Sequence, residues 1–151
     1  MPNPFIPEDI DLIRKGKSLF SGSLLFADVT GFTDLLSTCV PWLREALAAG
    51  WSVTDSLIHT HVRLMHHFPD SLIARKCGVE VARESAVRAG RVLDIGHPGE
   101  PEYYAALADL DFWLRSDGHR RNPGTTADFI AAGLFVLLRD GYLTGPFDGK
   151  I

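Results

Sequence analysis

The sequence has little of what would place it in a specialised class. No apolar run approaches a bilayer span: the longest uncharged one, "FIAAGLFVLL" at 129–138, is about half of the roughly 20 residues required. The opening "MPNPFIPEDIDLIRK" has no basic segment followed by an apolar one, so no secretory signal is read there. Cysteine is scarce. Cys39 and Cys77 stand alone, without a CxxC partner, which argues against a disulfide framework or a zinc ribbon and for two reduced, partly buried thiols in a cytoplasmic protein. Basic excess is also lacking. A formal charge of −4 gives no bulk attraction to nucleic acid or to an anionic membrane, so any basic site has to be local. Low-complexity tracts and internal repeats are missing, and after residue 40 no segment alternates with period two over a strand's length.

What is present is an ordinary globular composition, 46% hydrophobic and 23% charged over 151 residues, enough for one domain with a real core. Residues 1–7 carry three prolines and read as an irregular arm, 8–145 as a single all-α domain, and 146–151 as a tail. A short helix is expected over 8–19. The stretch 23–38 is ambiguous between a strand over "SLLFADV" and a helical face of Leu25, Asp28, Phe32, Leu35 and Leu36. Pro41 suits the first turn of a helix through Ala49, ended by Gly50. Helix 52–68 places Val53, Leu57, Leu64 and Phe68 in one arc, with Ile58, His61 and Met65 at its edge, and Pro69 stops it. Asp70 has N-cap character for a helix running to about Leu93. After a turn at 96–101, Tyr103, Leu107, Leu110 and Leu114 mark a helix over 102–117. The last helix, about 126–140, is apolar on nearly all sides and is therefore expected at the centre. The predicted fold is an all-α bundle of about five to six helices with a buried C-terminal helix.

Chemistry is sought in four places. "FADVTGFT" at 26–33 is like the metal-binding opening of a class III nucleotidyl cyclase. That reading needs adjacent strands and a second carboxylate in a Gly-Asp turn, a dipeptide this chain does not contain, and is disfavoured. "DGHRRNPGTTAD" at 117–128 is more informative. Thr125 and Asp128 have capping-box spacing, Gly124 lets the backbone approach a ligand, and His119, Arg120 and Arg121 stand just upstream. It reads either as an oligophosphate cradle or as a capped helix with a solvated arginine pair. In "FPDSLIARKCG", 68–78, Arg75 and Lys76 fall early in the expected helix, where its dipole offers cations nothing. They face either a bound anion or bulk water. Asp55, His59, Arg63 and His66 form a stripe on helix 52–68 in which Asp55, His59 and Arg63 can form a ladder; a solvated or site-facing polar stripe is read in preference to a zinc site. Trp42, Trp51 and Trp113 default to core packing.

"FPDSLIARKCGVEVARESAVRAGRVL" and "LADLDFWLRSDGHRRNPGTTADFIAAGLFVLLRDG" resemble the C-terminal half of triphosphoribosyl-dephospho-CoA synthases, with the likeness spanning roughly residues 40–143. The resemblance implies an all-α transferase that moves the 5′-triphosphoribosyl unit of ATP to a hydroxyl of dephospho-CoA, releasing adenine, in making the prosthetic group of an acyl carrier protein. It makes Arg120, Arg121, Asn122, Gly124, Thr125 and Thr126 candidate triphosphate contacts, and Arg75 and Lys76 a second clamp. Asp70 and Asp128 become candidates for holding Mg²⁺ or accepting the hydroxyl proton. ATP and dephospho-CoA, or another hydroxyl acceptor, are the implied partners. The family's N-terminal phosphate-loop motifs, Pro-Gly-Asn and Asn-Thr-Asn-x-Gly, have no counterpart in this sequence. The resemblance thus also allows a non-catalytic nucleotide-binding module, self-association, or a separate chain supplying the other half.

Overall fold

The computed structural model describes residues 33–144. The proline-rich arm, the helix expected at 8–19, Asp28 and the tail lie outside the described residues. Within them all regular structure is helical, as the periodicity predicts. Leu35–Cys39 form a π-helical turn, closed by a bond from Val40 N–H to Leu35 O, and run directly into α1, Val40–Ala48. Pro41, with no N–H to give and a ring that crowds the carbonyl four residues back, follows this wider turn. α2 (Val53–His67) begins at Ser52, whose side chain accepts the Asp55 amide. α3 is short, Ser71–Cys77. α4 (Val79–Ile95), α5 (Pro101–Arg115) and α6 (Gly124–Arg139) follow among the described residues.

Two differences from expectation determine where the candidate site lies. First, the helix predicted from Asp70 to Leu93 is two helices. Gly78 takes φ 95° and ψ 162°, a region essentially closed to residues with a Cβ, and it ends one helix and begins the next. An isolated glycine is tolerated within a helical pattern, so periodicity alone runs through it.

Second, among the described residues the most central helix is α2, and the apolar C-terminal helix is buried along part of its surface. α2 packs on α1, α4 and α6 and joins two core clusters. One holds Leu35, Cys39, Leu43, Leu64, Phe129 and Leu137; the other holds Val62, Met65, Ala89, Val92, Tyr103 and Leu110. Among the described residues α6 packs on the Leu35–Cys39 turn, α1, α2 and α3. It buries Phe129, Gly133, Val136 and Leu137 but leaves Phe135 64% exposed.

Glycine sets the closest approaches. A Cβ on Gly133 would lie 2.7 Å from Leu43 Cδ1 and 3.0 Å from Cys39 Sγ, so α6 can seat on α1 only without one. Both cysteines are free thiols. No helix among the described residues is long and apolar enough to cross a membrane.

Candidate functional site

The two stretches singled out in the sequence meet. At their junction Asp70 is 2% exposed and serves two helices at once. Its Oδ1 accepts the amides of Leu72 at 2.8 Å and Ile73 at 3.1 Å, capping α3. Its Oδ2 accepts the Thr126 amide and the Thr126 hydroxyl, both at 2.8 Å, capping α6 from 56 residues away. Burial pushes this carboxyl above its ordinary range, and the hydrogen bonds from Thr126, Ile73 and Leu72 pull it back only in part.

The expected capping box in α6 does not form. The helix starts at Gly124, two residues earlier than predicted, and Pro123 at its N-cap makes no side-chain cap bond. That start frees Thr125 Oγ1 to meet Ser71 Oγ at 2.7 Å. Further along the seam, Cys77 Sγ donates to Arg120 O at 3.2 Å and Arg120 Nη2 donates to Lys76 O at 3.2 Å. Gly124 is in contact with α3 as well: a Cβ there would run into Leu72 Cδ2.

The family model described as ATP:dephospho-CoA triphosphoribosyl transferase matches residues 28–146, more than three quarters of the 151-residue chain. The chain belongs to that family. No significant match was found among curated proteins or among solved structures.

Within this transferase-family fold the sequence-predicted residues fall into distinct environments. Arg75 and Lys76 are exposed in the last turn of α3, where the helix dipole favours cations. The two cations are therefore not misplaced in a first turn, because the helix ends at Cys77. Arg121 is committed locally. Its Nη1 donates to Trp113 O at 3.0 Å and to Ser116 Oγ at 3.1 Å, and its guanidinium lies 4.4 Å from the centre of the Trp113 ring. The Gly124, Thr126 and Ala127 amides of α6 have partners in Asn122 O, Asp70 and Pro123 O. Asp128 and Asn122 are exposed.

The polar stripe of α2 forms no ladder, since each member turns to a different neighbour. Arg63 pairs with Glu45 at 3.1 Å, His66 Nδ1 meets Ala86 O at 3.1 Å, and Asp55 Oδ1 accepts the Tyr104 hydroxyl at 3.1 Å. His59 is buried rather than solvated. Its Nδ1 lies 3.0 Å from the Tyr103 hydroxyl, and burial, with Arg63 nearby, lowers its pKa.

The tryptophans are half-buried: Trp42 packs against the first core cluster as expected, and all three also carry cationic or imidazole side chains on their rings. Arg63 lies over Trp42 at 4.2 Å, His59 meets Trp51 edge-on at 4.8 Å, and Arg88 joins Arg121 on Trp113. Among the described residues no cluster of three or more His, Cys, Asp or Glu gathers to hold a metal.

One feature leaves no signature in the helical periodicity. A cavity of about 790 Å³ opens between α2 and α5. Ile58, Val62 and Met65 form one wall, and Leu107, Leu110 and Leu114 the other. The loop residues His119, Asn122 and Pro123 also line it. His119 holds a left-handed backbone, φ 62°, directly after left-handed Gly118, a conformation that histidine adopts more readily than most side chains but still at a cost. Helical periodicity counts Ile58, Leu107 and Leu114 as core and cannot show that two helix faces stand apart.

Proposed function

We propose that this chain is a cytoplasmic ATP-binding transferase that moves the 5′-triphosphoribosyl group of ATP to a hydroxyl of dephospho-CoA, with its phosphate site at the seam between α3 and the 116–126 loop. One observation carries the reading: the two blocks that hold the family resemblance are fastened to each other by the Asp70–Thr126, Ser71–Thr125, Cys77–Arg120 and Arg120–Lys76 bonds.

The chemistry balances without hydrolysis. The acceptor hydroxyl oxygen bonds to the anomeric carbon of the ribose, the N-glycosidic bond breaks, and adenine leaves with its electron pair. The hydroxyl proton is carried off and ends on the purine. Positive charge develops at the anomeric carbon, as in glycoside cleavage. The triphosphate must be held but not cut, which calls for cations and donors without an aligned water.

The environments divide the work. An ionised carboxylate offers about four lone-pair sites, and Asp70 already receives four hydrogen bonds, so its part is to build the seam. Asp128, exposed on α6, is the carboxylate left to accept the acceptor's proton. Lys76, Arg120 and Asn122 are the exposed groups offered to phosphate, with Arg75 beside them in sequence; Arg121 positions the loop through Trp113. Mg²⁺ would enter bound to ATP as part of the substrate, since such an ion is held by substrate phosphates and retained waters with few protein ligands.

Titration of ATP-Mg²⁺ by calorimetry tests the site. The wild-type chain should bind, and Lys76→Ala combined with Arg120→Ala should weaken binding at least tenfold at unchanged helicity. Binding that the double variant leaves untouched refutes this placement.

A further inference from the structure

The α2–α5 cavity is not used by the phosphate seam, yet the two share a loop. α2 and α5 both pack on α4 and touch each other through His59–Tyr103 and Asp55–Tyr104; further along the pair a volume remains within the range of roughly 300–1,000 Å³ usual for small-molecule sites. Its inner walls are mostly aliphatic, which suits a flat ring, while Tyr104, Asp111 and Arg115 of α5 also line it, the last two paired with each other at 2.8 Å. One polar group among the walls lacks a partner: His61 lines the cavity, and its Nε2 is buried without a hydrogen bond in the protein. A buried polar atom with no partner costs on the order of 1–3 kcal/mol, a cost that a ligand bonded to it would relieve. Burial also pulls the His61 pKa down to about 4, so at neutral pH the cavity presents an uncharged imidazole.

The loop faces two ways. His119, Asn122 and Pro123 line the cavity, while Arg120, between them in sequence, donates to Lys76 O across the seam. A ligand with an uncharged heteroaromatic ring and a polyanionic tail matches that arrangement. The ring would lie among Ile58, Met65 and Leu107, and the tail would leave past His119 and Asn122 toward the cations of the seam.

We propose that the α2–α5 cavity is the seat of an adenosine moiety, with His61 meeting the edge of the base and His119 and Asn122 at the mouth. This deepens the transferase reading and rests on it for the choice of base. ATP and dephospho-CoA both carry adenosine, so either can be the source.

Calorimetric titration with adenosine, and separately with tripolyphosphate plus Mg²⁺, tests the cavity apart from the seam. Ala108 lines the cavity and is exposed, so Ala108→Trp narrows it without touching the core. His61→Phe keeps ring volume and removes the nitrogen. Adenosine should bind the wild-type chain. Ala108→Trp should weaken it at least tenfold, and His61→Phe by roughly 2–12-fold, the measure of one hydrogen bond. Tripolyphosphate binding should be unchanged in both variants. Displacement of bound adenosine by ATP or by dephospho-CoA, repeated with Ala108→Trp, identifies which substrate occupies the cavity. Adenosine that fails to bind, or binds both variants as it binds wild type, overturns the proposal even where tripolyphosphate still binds. Adenosine binding without tripolyphosphate binding upholds the cavity and refutes the phosphate seam.

Discussion

Replacing Asp70 tests the seam most severely. Asp70→Ala strips four donors of their acceptor: the amides of Leu72, Ile73 and Thr126 and the Thr126 hydroxyl. Thr126 is 0% exposed, so bulk water does not reach its two donors in the folded chain. Each buried donor left unpaired costs on the order of 1–3 kcal/mol, and losing a helix cap costs about 0.5–2 kcal/mol. Release of a carboxylate that burial disfavours offsets part of this. The net expectation is about 3 kcal/mol. For a chain of this size it lowers the melting temperature by roughly 6–12 °C.

Asp70→Asn is the sharper variant. Whichever way the amide settles, one of the two helix starts keeps an oxygen and the other meets N–H groups, so about half the loss should remain. Thermal unfolding followed by circular dichroism gives the magnitudes, and hydrogen exchange at Leu72, Ile73 and Thr126 shows where protection is lost. An Asp70→Asn protein as stable as wild type, or an Asp70→Ala loss below about 1 kcal/mol, would refute the double cap.

Three further predictions concern other parts of the fold. His61 binds fewer protons folded, at a pKa of about 4, than unfolded, near 6.5. Its contribution is therefore intact above pH ~6.5 and is lost as pH falls toward 4, by on the order of 3 kcal/mol; His61→Phe should flatten that slope in denaturant titrations, and an unchanged slope would exclude His61 as its source. Gly133→Ala, though favoured by helix propensity, should destabilise by about 1–2 kcal/mol because Leu43 and Cys39 have no room to retreat; a gain in melting temperature would contradict this. Gly78→Ala, at φ 95°, should cost roughly 1–3 kcal/mol through backbone strain alone, since open space surrounds the site, and a neutral effect would mean that α3 and α4 can join.

Much of the helical layout was legible in the sequence because its signals are local. Pro41 near a helix start, Gly50 and Gly141 past helix ends and the apolar spacing from Tyr103 to Leu110 all act within a few residues. The cap of α6 was not legible, because its acceptor belongs to Asp70 in another segment. Nor was the standing of α2 over α6 as the central helix. An apolar surface records what could be buried, whereas burial depends on how many neighbours the topology supplies. Arg75 and Lys76 changed meaning for the same reason, once Gly78 turned an expected first turn into a last one. The meeting of the two motif blocks followed from the family resemblance and from no periodicity. The cavity, an absence between two faces that each read as core, left no local signal beyond His61, a polar residue at the edge of an apolar arc.

The central claim, that this family member transfers triphosphoribose, is tested most directly by the fate of the purine. Incubated with ATP-Mg²⁺ and dephospho-CoA, the chain should release free adenine in equal amount to a dephospho-CoA adduct heavier by the triphosphoribosyl group. Both should be lost in the Lys76→Ala, Arg120→Ala double variant. No free adenine, or ADP and phosphate in its place, would contradict the account.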